Sequence, residues 1–163
     1  MTEHRAQPPD TIRCFVLTIS DTRTSDTDTS GDAIETSLRD RGCTIAGRTI
    51  VPDEPSLVRQ ILTEQAPTVD VVVTTGGTGI SARDSTYEAI AGLLDKRLDG
   101  FGELFRMLSH REIGSAAMMS RACAGTIGRT AVFSLPGSLN AVRLGLSELI
   151  LPEITHVVRE LRR

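Results

Sequence analysis

An apolar, β-branched run from Val69 to Val73, broken only by Asp70, leads straight into Thr74-Thr75-Gly76-Gly77-Thr78-Gly79-Ile80-Ser81-Ala82-Arg83-Asp84. The run reads as a buried strand, the glycines as a tight turn, and Ser85-Thr86-Tyr87-Glu88-Ala89-Ile90 as the start of a helix. A strand, a glycine turn and a helix in that order place backbone N–H groups at a helix N-terminus. That geometry suits an anion, most often a phosphate. Glycines let the backbone approach a ligand without a Cβ in the way. Thr74, Thr75 and Thr78 add hydroxyl donors. Asp84 adds a carboxylate beside the expected phosphate, where a divalent cation can bridge the two.

The rest of the chain alternates in the same manner. Residues 15–19 form a first strand candidate, followed by a polar loop from Ser20 to Ser30. Gly31 to Arg41 has helical spacing, with Ile34 and Leu38 on one face and Gly42 at the expected C-terminal cap. Thr44 to Val51 is a second strand and Pro52-Asp53-Glu54-Pro55 a turn. Ser56 is placed to cap a helix from Leu57 to Ala66, which Pro67 ends. In the second half, residues 100–108 and 113–121 read as helices. Cys123 to Ile127 and Thr130 to Leu135 read as a hairpin about Gly128-Arg129. Pro136-Gly137-Ser138 opens a long last helix that Pro152 breaks or restarts. The expected fold is α/β, a three-layer α/β/α sandwich with a mostly parallel central sheet. Residues 11–163 read as a single domain and residues 1–10 as a flexible N-terminal arm.

Composition narrows the partners. A net charge of −3 and a single Tyr with no Trp argue against a general nucleic-acid binder, which needs a basic surface and stacking rings. No apolar run approaches the roughly 18–20 residues that span a bilayer, and the first ten residues lack the apolar core of a secretory signal. Cys14, Cys43 and Cys123 are odd in number and widely spaced, with no close pair and scattered histidines, so no zinc site is expected, and Cys14 and Cys123, among apolar neighbours, read as small core residues. A cytoplasmic location follows.

In open α/β sheets, ligands lie at the carboxyl ends of the strands. Ser20-Asp21-Thr22, Pro52-Asp53-Glu54 and the glycine turn each follow a strand, so all three are expected along one edge. Singly, each has a plainer reading. Asp21 and Asp53 suit turns, Asp84 suits the first turn of a helix, and Ser138 suits an N-cap. Their convergence is what separate turn preferences do not explain.

Five blocks carry a resemblance over residues 12 to 152. They are Thr18-Ile19-Ser20-Asp21-Thr22-Arg23 with Asp28-Thr29-Ser30-Gly31; Val51-Pro52-Asp53-Glu54; Thr74 to Asp84; Gly100-Phe101-Gly102-Glu103-Leu104-Phe105-Arg106 with Ser120-Arg121-Ala122; and Leu135-Pro136-Gly137-Ser138. Together they resemble the MoaB/MogA family of molybdenum cofactor biosynthesis proteins, and the Gly-Phe-Gly-Glu block resembles its MoaB branch. The resemblance implies transfer of AMP from Mg²⁺-bound ATP to the phosphate of molybdopterin, with release of pyrophosphate. It places catalytic and Mg²⁺-binding roles on Asp53 and Asp84. It places substrate binding on Ser20, Asp21, Thr22 and Arg23, on Thr75, Gly76, Gly77, Thr78 and Gly79, and on Ser109, Ser120, Arg121, Pro136, Gly137 and Ser138. The glycine turn is expected to hold a phosphate of either the nucleotide or the pterin. A homo-oligomer is implied, a hexamer or a trimer. The family often has Val-Thr-Pro after its Arg-Asp pair, where this chain has Ser85-Thr86-Tyr87. A member that binds molybdopterin or nucleotide without catalysis, as a carrier, is the alternative.

Overall fold

The computed structural model describes residues 11–163, so the expected N-terminal arm lies outside the described residues. Six strands form one sheet in the order β2-β1-β3-β6-β5-β4. They are β1 (Arg13–Ile19), β2 (Thr44–Val51), β3 (Val71–Thr75), β4 (Lys96–Arg97), β5 (Cys123–Ile127) and β6 (Thr130–Leu135). The pairs β1–β2, β1–β3 and β3–β6 are parallel, whereas β5 runs antiparallel to both of its neighbours. The helices are α1 (Thr29–Asp40), α2 (Pro55–Gln65), α3 (Thr86–Leu93), α4 (Asp99–Ile113), α5 (Leu139–Gly145) and α6 (Leu151–Arg162).

Strand residues alternate between faces, and here both faces are dry. Cys14, Val16, Val71, Val73, Ala131 and Phe133 point to one side, where Ile34 and Leu38 of α1, Phe105 of α4, Val142 of α5 and Ile154 of α6 cover them. Phe15, Leu17, Val72 and Val132 point to the other, against Val58 and Leu62 of α2 and Ile90 of α3. This is the expected three-layer arrangement. Burial of each large apolar side chain contributes about 1.5–3 kcal/mol, so continuous strands such as Val71-Val72-Val73 stabilise both interfaces at once.

Several elements differ from the sequence expectation. β3 starts at Val71, because Ala66–Thr68 form a 3₁₀ turn before it. α2 begins at Pro55 with Glu54 at its N-cap. Proline's fixed φ suits a first helical turn, so Ser56 lies inside the helix and does not cap it. The helix expected over 113–121 is the end of α4 followed by a 3₁₀ turn, Gly114–Met119, because Gly114 turns the chain at φ 70°. β4 is two charged residues and had no apolar signal. Before Pro152, residues Leu146–Ile150 form a π turn in which the Leu151 N–H donates to the Leu146 carbonyl. The α5 N-cap is as expected, with Ser138 Oγ accepting from the Ala141 N–H at 3.2 Å.

Asp28 fixes α1 on the sheet. Its carboxylate is 1 % exposed. It caps α1 by accepting from the Gly31 N–H at 3.0 Å, and it accepts from Thr18 Oγ1 of β1 at 2.7 Å and Arg48 Nη2 of β2 at 2.9 Å. Burial alone would push its pKa up. The bonds from Arg48, Thr18 and Gly31 outweigh burial and hold the carboxyl below the usual carboxylate range. A carboxylate lowered on folding stabilises the fold above its unfolded value near pH 4, and that contribution is lost as pH falls through the folded value. Asp28→Asn, which leaves Arg48 without its buried partner, should therefore cost roughly 3–5 kcal/mol at neutral pH. Urea denaturation from about pH 7 to 3 should show a shallower acid loss in the variant than in the parent chain.

Candidate functional site

Strand register sets the site. Ile19 pairs with Val51, Thr18 with Thr75, and Thr75 with Leu135, so β2, β1, β3 and β6 end at one level. The turns that follow them are 52–54, 20–23, 76–84 and 136–138, all on the sheet edge expected from topology. β5 runs the other way, with Cys123 opposite Ser134, so Ser120 and Arg121 enter at the same edge.

The glycine turn is pressed against its neighbours. Gly76 has φ 95° and its N–H donates to the Leu135 carbonyl at 3.0 Å. A Cβ there would sit 2.1 Å from the Ile19 carbonyl oxygen, so no other residue fits. Among the described residues, the N–H groups of Gly77, Thr78 and Gly79 find no acceptor. The turn does not run directly into a helix. Residues 80–85 intervene, and α3 begins only at Thr86.

The threonines divide by strand parity. Thr75 Oγ1 donates to the Pro136 carbonyl at 2.9 Å. Thr74 is fully buried on the opposite face, and its hydroxyl has no partner among the described residues. Thr74 faces away from the turn, Thr75 lies at the edge of the strand-end cavity, and Thr78 lies within the turn itself.

Three acids stand on this edge. Asp21 Oδ1 accepts from the Asp53 N–H at 3.0 Å, and Asp21 Oδ2 pairs with Arg83. Asp53 Oδ1 accepts from Thr86 Oγ1. Asp84 Oδ2 accepts from the Ser81 hydroxyl at 2.7 Å and the Ser81 N–H at 2.8 Å. Those two bonds, with Arg121 and Arg83 nearby, hold the Asp84 carboxyl below the usual range, so it is ionised at neutral pH. Gly79 makes room for it, since a Cβ there would lie 2.3 Å from Asp84 Oδ2. Asp84 Oδ1 has no partner among the described residues.

A cavity of about 210 Å³ opens beside the turn, lined by residues that include Ser20, Arg23, Ser30, Thr75, Gly76 and Gly137. Ser20 Oγ is occupied in shaping its own loop, accepting from the N–H groups of Thr22 and Arg23 at 3.2 and 3.0 Å. Arg121 binds the far end of the glycine loop. It donates to the Gly79 carbonyl, pairs with Glu88 and lies 4.7 Å from the Tyr87 ring centroid. Ser120 lies beside it, lining a different cavity. Ser109 is buried on the inner face of α4, one and two turns on from Phe105 and Phe101, and lines neither cavity. Two residues escaped the sequence reading. Thr86 holds Asp53, and Ser30 Oγ donates to the Gly137 carbonyl at 2.8 Å. Ser30 lies inside a motif block, which was its available signal, whereas Thr86 lies just beyond one, in the Ser85-Thr86-Tyr87 departure.

The profile of a family described as a probable molybdopterin binding domain matches residues 15–156. Molybdenum cofactor biosynthesis protein B of Bacillus subtilis is 53% identical, over 99% of this chain and 96% of its own length. The Bacillus cereus protein of that name is 51% identical, over 100% and 98%. A crystal structure of the tungsten cofactor synthesizing protein MoaB from Pyrococcus furiosus superposes with a TM-score of 0.85 at 42% identity, covering 96% of this chain and 100% of that one. With its sheet order, its level strand ends and its glycine turn between paired acids, this chain belongs to the family of the molybdenum cofactor biosynthesis protein B, the MoaB branch of the probable molybdopterin binding domain.

Proposed function

We propose that this chain acts in molybdenum cofactor biosynthesis by adenylylating molybdopterin at the expense of ATP. The observation that carries the reading is the linkage of Asp53 and Asp84 beside open backbone donors. Asp53 is tied to Thr86, two residues beyond Asp84, and Asp21 joins the Asp53 turn to Arg83. The N–H groups of Gly77, Thr78 and Gly79 lie on the same turn. Both ligands, the nucleotide and the pterin phosphate, are anionic and repel each other. A site for them needs donors, positive charge and positioning more than a protein nucleophile.

The residues fit Mg²⁺. Their donors are hard carboxylate and hydroxyl oxygens. Mg²⁺ is usually held by one or two carboxylates plus substrate phosphates, so Asp53 and Asp84 suffice without a larger cage. Among the described residues no cluster of three or more His, Cys, Asp or Glu forms one. When bound, the ion offsets the charge that develops on the phosphates. In the reaction an oxygen of the molybdopterin phosphate attacks the α-phosphorus of ATP. The bond from that phosphorus to the β-phosphate oxygen breaks, and pyrophosphate leaves. No general base is needed, because the attacking phosphate is already ionised. The turn N–H groups and Arg23 orient the phosphates, while Asp53 and Asp84 fix the cation.

Asp84 is exposed enough that Asp84→Ala should leave the fold intact. Turnover of molybdopterin and Mg²⁺-ATP to adenylyl-molybdopterin and pyrophosphate should fall on the order of a hundredfold or more. Unchanged turnover sinks this mechanism. Absence of product from the parent chain, with molybdopterin still bound, makes the protein a carrier instead.

The reading also takes the protein as a cytoplasmic hexamer. No helix of the described residues is long and apolar enough to cross a membrane. Leu104, Met107, Ile113, Met118 and Met119 of α4 and the following turn are exposed, Met118 at 82%. Such a patch is what a copy-to-copy interface covers. Light scattering should give six times the 17.6 kDa chain mass, and a value equal to one chain refutes assembly.

A further inference from the structure

The loop from Gly79 to Asp84 joins the glycine turn to α3 and carries Asp84, and no helix or strand contains it. Two backbone N–H groups are bonded inside it. That of Ser81 donates to Asp84 Oδ2 at 2.8 Å, and that of Asp84 donates to the Ser81 carbonyl at 2.9 Å. These bonds close the loop on itself. Arg83 ties it to Asp21 through a side chain that is 71% exposed, and exposed ion pairs contribute little. Arg121 ties it from the more buried side. Arg121 Nη2 donates to the Gly79 carbonyl and, at 3.4 Å, to the Asp84 carbonyl, so one nitrogen grips both ends of the loop. A long side chain holds such a bridge only if its own rotamers are restricted.

Tyr87 supplies that restriction. The Arg121 guanidinium lies 4.7 Å from the ring centroid, within the range of a cation–π contact. The Arg121 side chain is only 24% exposed, and such contacts strengthen as water is removed. The ring is itself fixed. Its backbone belongs to the first turn of α3, and its apolar body packs against the core face that contains Ile90 and Val132. Its hydroxyl accepts from Arg97 Nη2 at 2.9 Å, and Arg97 is paired with Gly125 in the sheet. Glu88 takes Arg121 Nη1, but with a side chain that is 57% exposed. A water-facing carboxylate turns with the guanidinium, whereas the anchored ring does not.

We propose that Tyr87 is a positioning residue, which holds Arg121 against the Gly79 and Asp84 carbonyls and so fixes the loop that presents Asp84. It acts through Arg121 rather than on a substrate. Its bearing on chemistry rests on the reading of Asp84 as a Mg²⁺ ligand given above, whereas the latch itself does not.

Amide hydrogen exchange in the protein without ATP, molybdopterin or metal reads the latch at the bonded N–H groups of Ser81 and Asp84. Tyr87→Leu keeps an apolar body and removes the platform. Exchange at both amides should rise about fivefold or more, with the amide of Val72 in the central strand unchanged. Tyr87→Phe retains the ring and should recover most of the protection. Arg97→Gln, a half-exposed change outside the loop, removes the same hydroxyl bond and should match Tyr87→Phe within about twofold. In turnover assays, Tyr87→Leu should raise the Mg²⁺ concentration at half-maximal rate about fivefold. Unchanged exchange at Ser81 and Asp84 overturns the proposal. So does equal acceleration at Val72, which marks general unfolding, or failure of Tyr87→Phe to recover protection. A parent chain without AMP transfer defeats the adenylylation reading alone, since exchange still decides the latch. In an active parent, faster exchange with an unchanged Mg²⁺ dependence overturns the positioning of Asp84.

Discussion

Asp28 is a buried carboxylate around which one side of the molecule is organised. Removing a charge from water costs several kcal/mol unless partners replace the lost hydration. Here the replacements come from three elements at once, a hydroxyl on β1, a guanidinium on β2 and the first turn of α1. Satisfying the charge therefore fixes the angle and height of α1 over the sheet. Asp32 and Glu35, further along the helix, also pair with Arg48 and bind the same corner from the solvent side. Because Ser30 of that helix donates to the Gly137 carbonyl, the buried charge reaches across to the turn after β6. The wall of the strand-end cavity thus inherits its position from an ion pair that touches no ligand.

The candidate site is likewise a property of several turns together. Asp21 accepts from the backbone of the β2 turn and pairs with Arg83 of the β3 loop, so three strand ends are linked through one side chain. The backbone reinforces this, since the Gly76 turn has no space to move away from Ile19. Rigid strands with linked turns supply the positional precision that the proposed transfer between two anions requires. Family membership carries the coarser role in molybdenum cofactor biosynthesis.

Much of this was legible in the sequence because it is local. The continuous apolar run of Val71-Val72-Val73, helical spacing of Ile34 and Leu38, and the Gly128-Arg129 hairpin turn all write their structure in neighbouring residues. The common edge of the strand-end turns followed from parallel topology. What escaped depended on distant partners. β4 exists only because Lys96 and Arg97 pair with Thr126 and Gly125, and nothing in two charged residues announces a strand. The roles of Thr74 and Thr75 depend on which face each occupies when both faces are buried. Arg121 contacts a loop some forty positions earlier in the chain, a contact that only the folded edge creates.

The strand order has a consequence for synthesis. β3 lies between β1 and β6, yet β6 is made from residues 130–135. As the chain emerges from N- to C-terminus, β1, β2 and β3 can pair early, while the other edge of Val71–Thr75 stays open for more than fifty further residues. That edge is entirely apolar or β-branched, carries no charge, and templates strand addition from any neighbouring chain. The nascent protein is thus most prone to misassembly in the interval before the β5–β6 hairpin closes. Pairing of β6 with β3 ends that interval, and the last helices then cover the face that β6 completes.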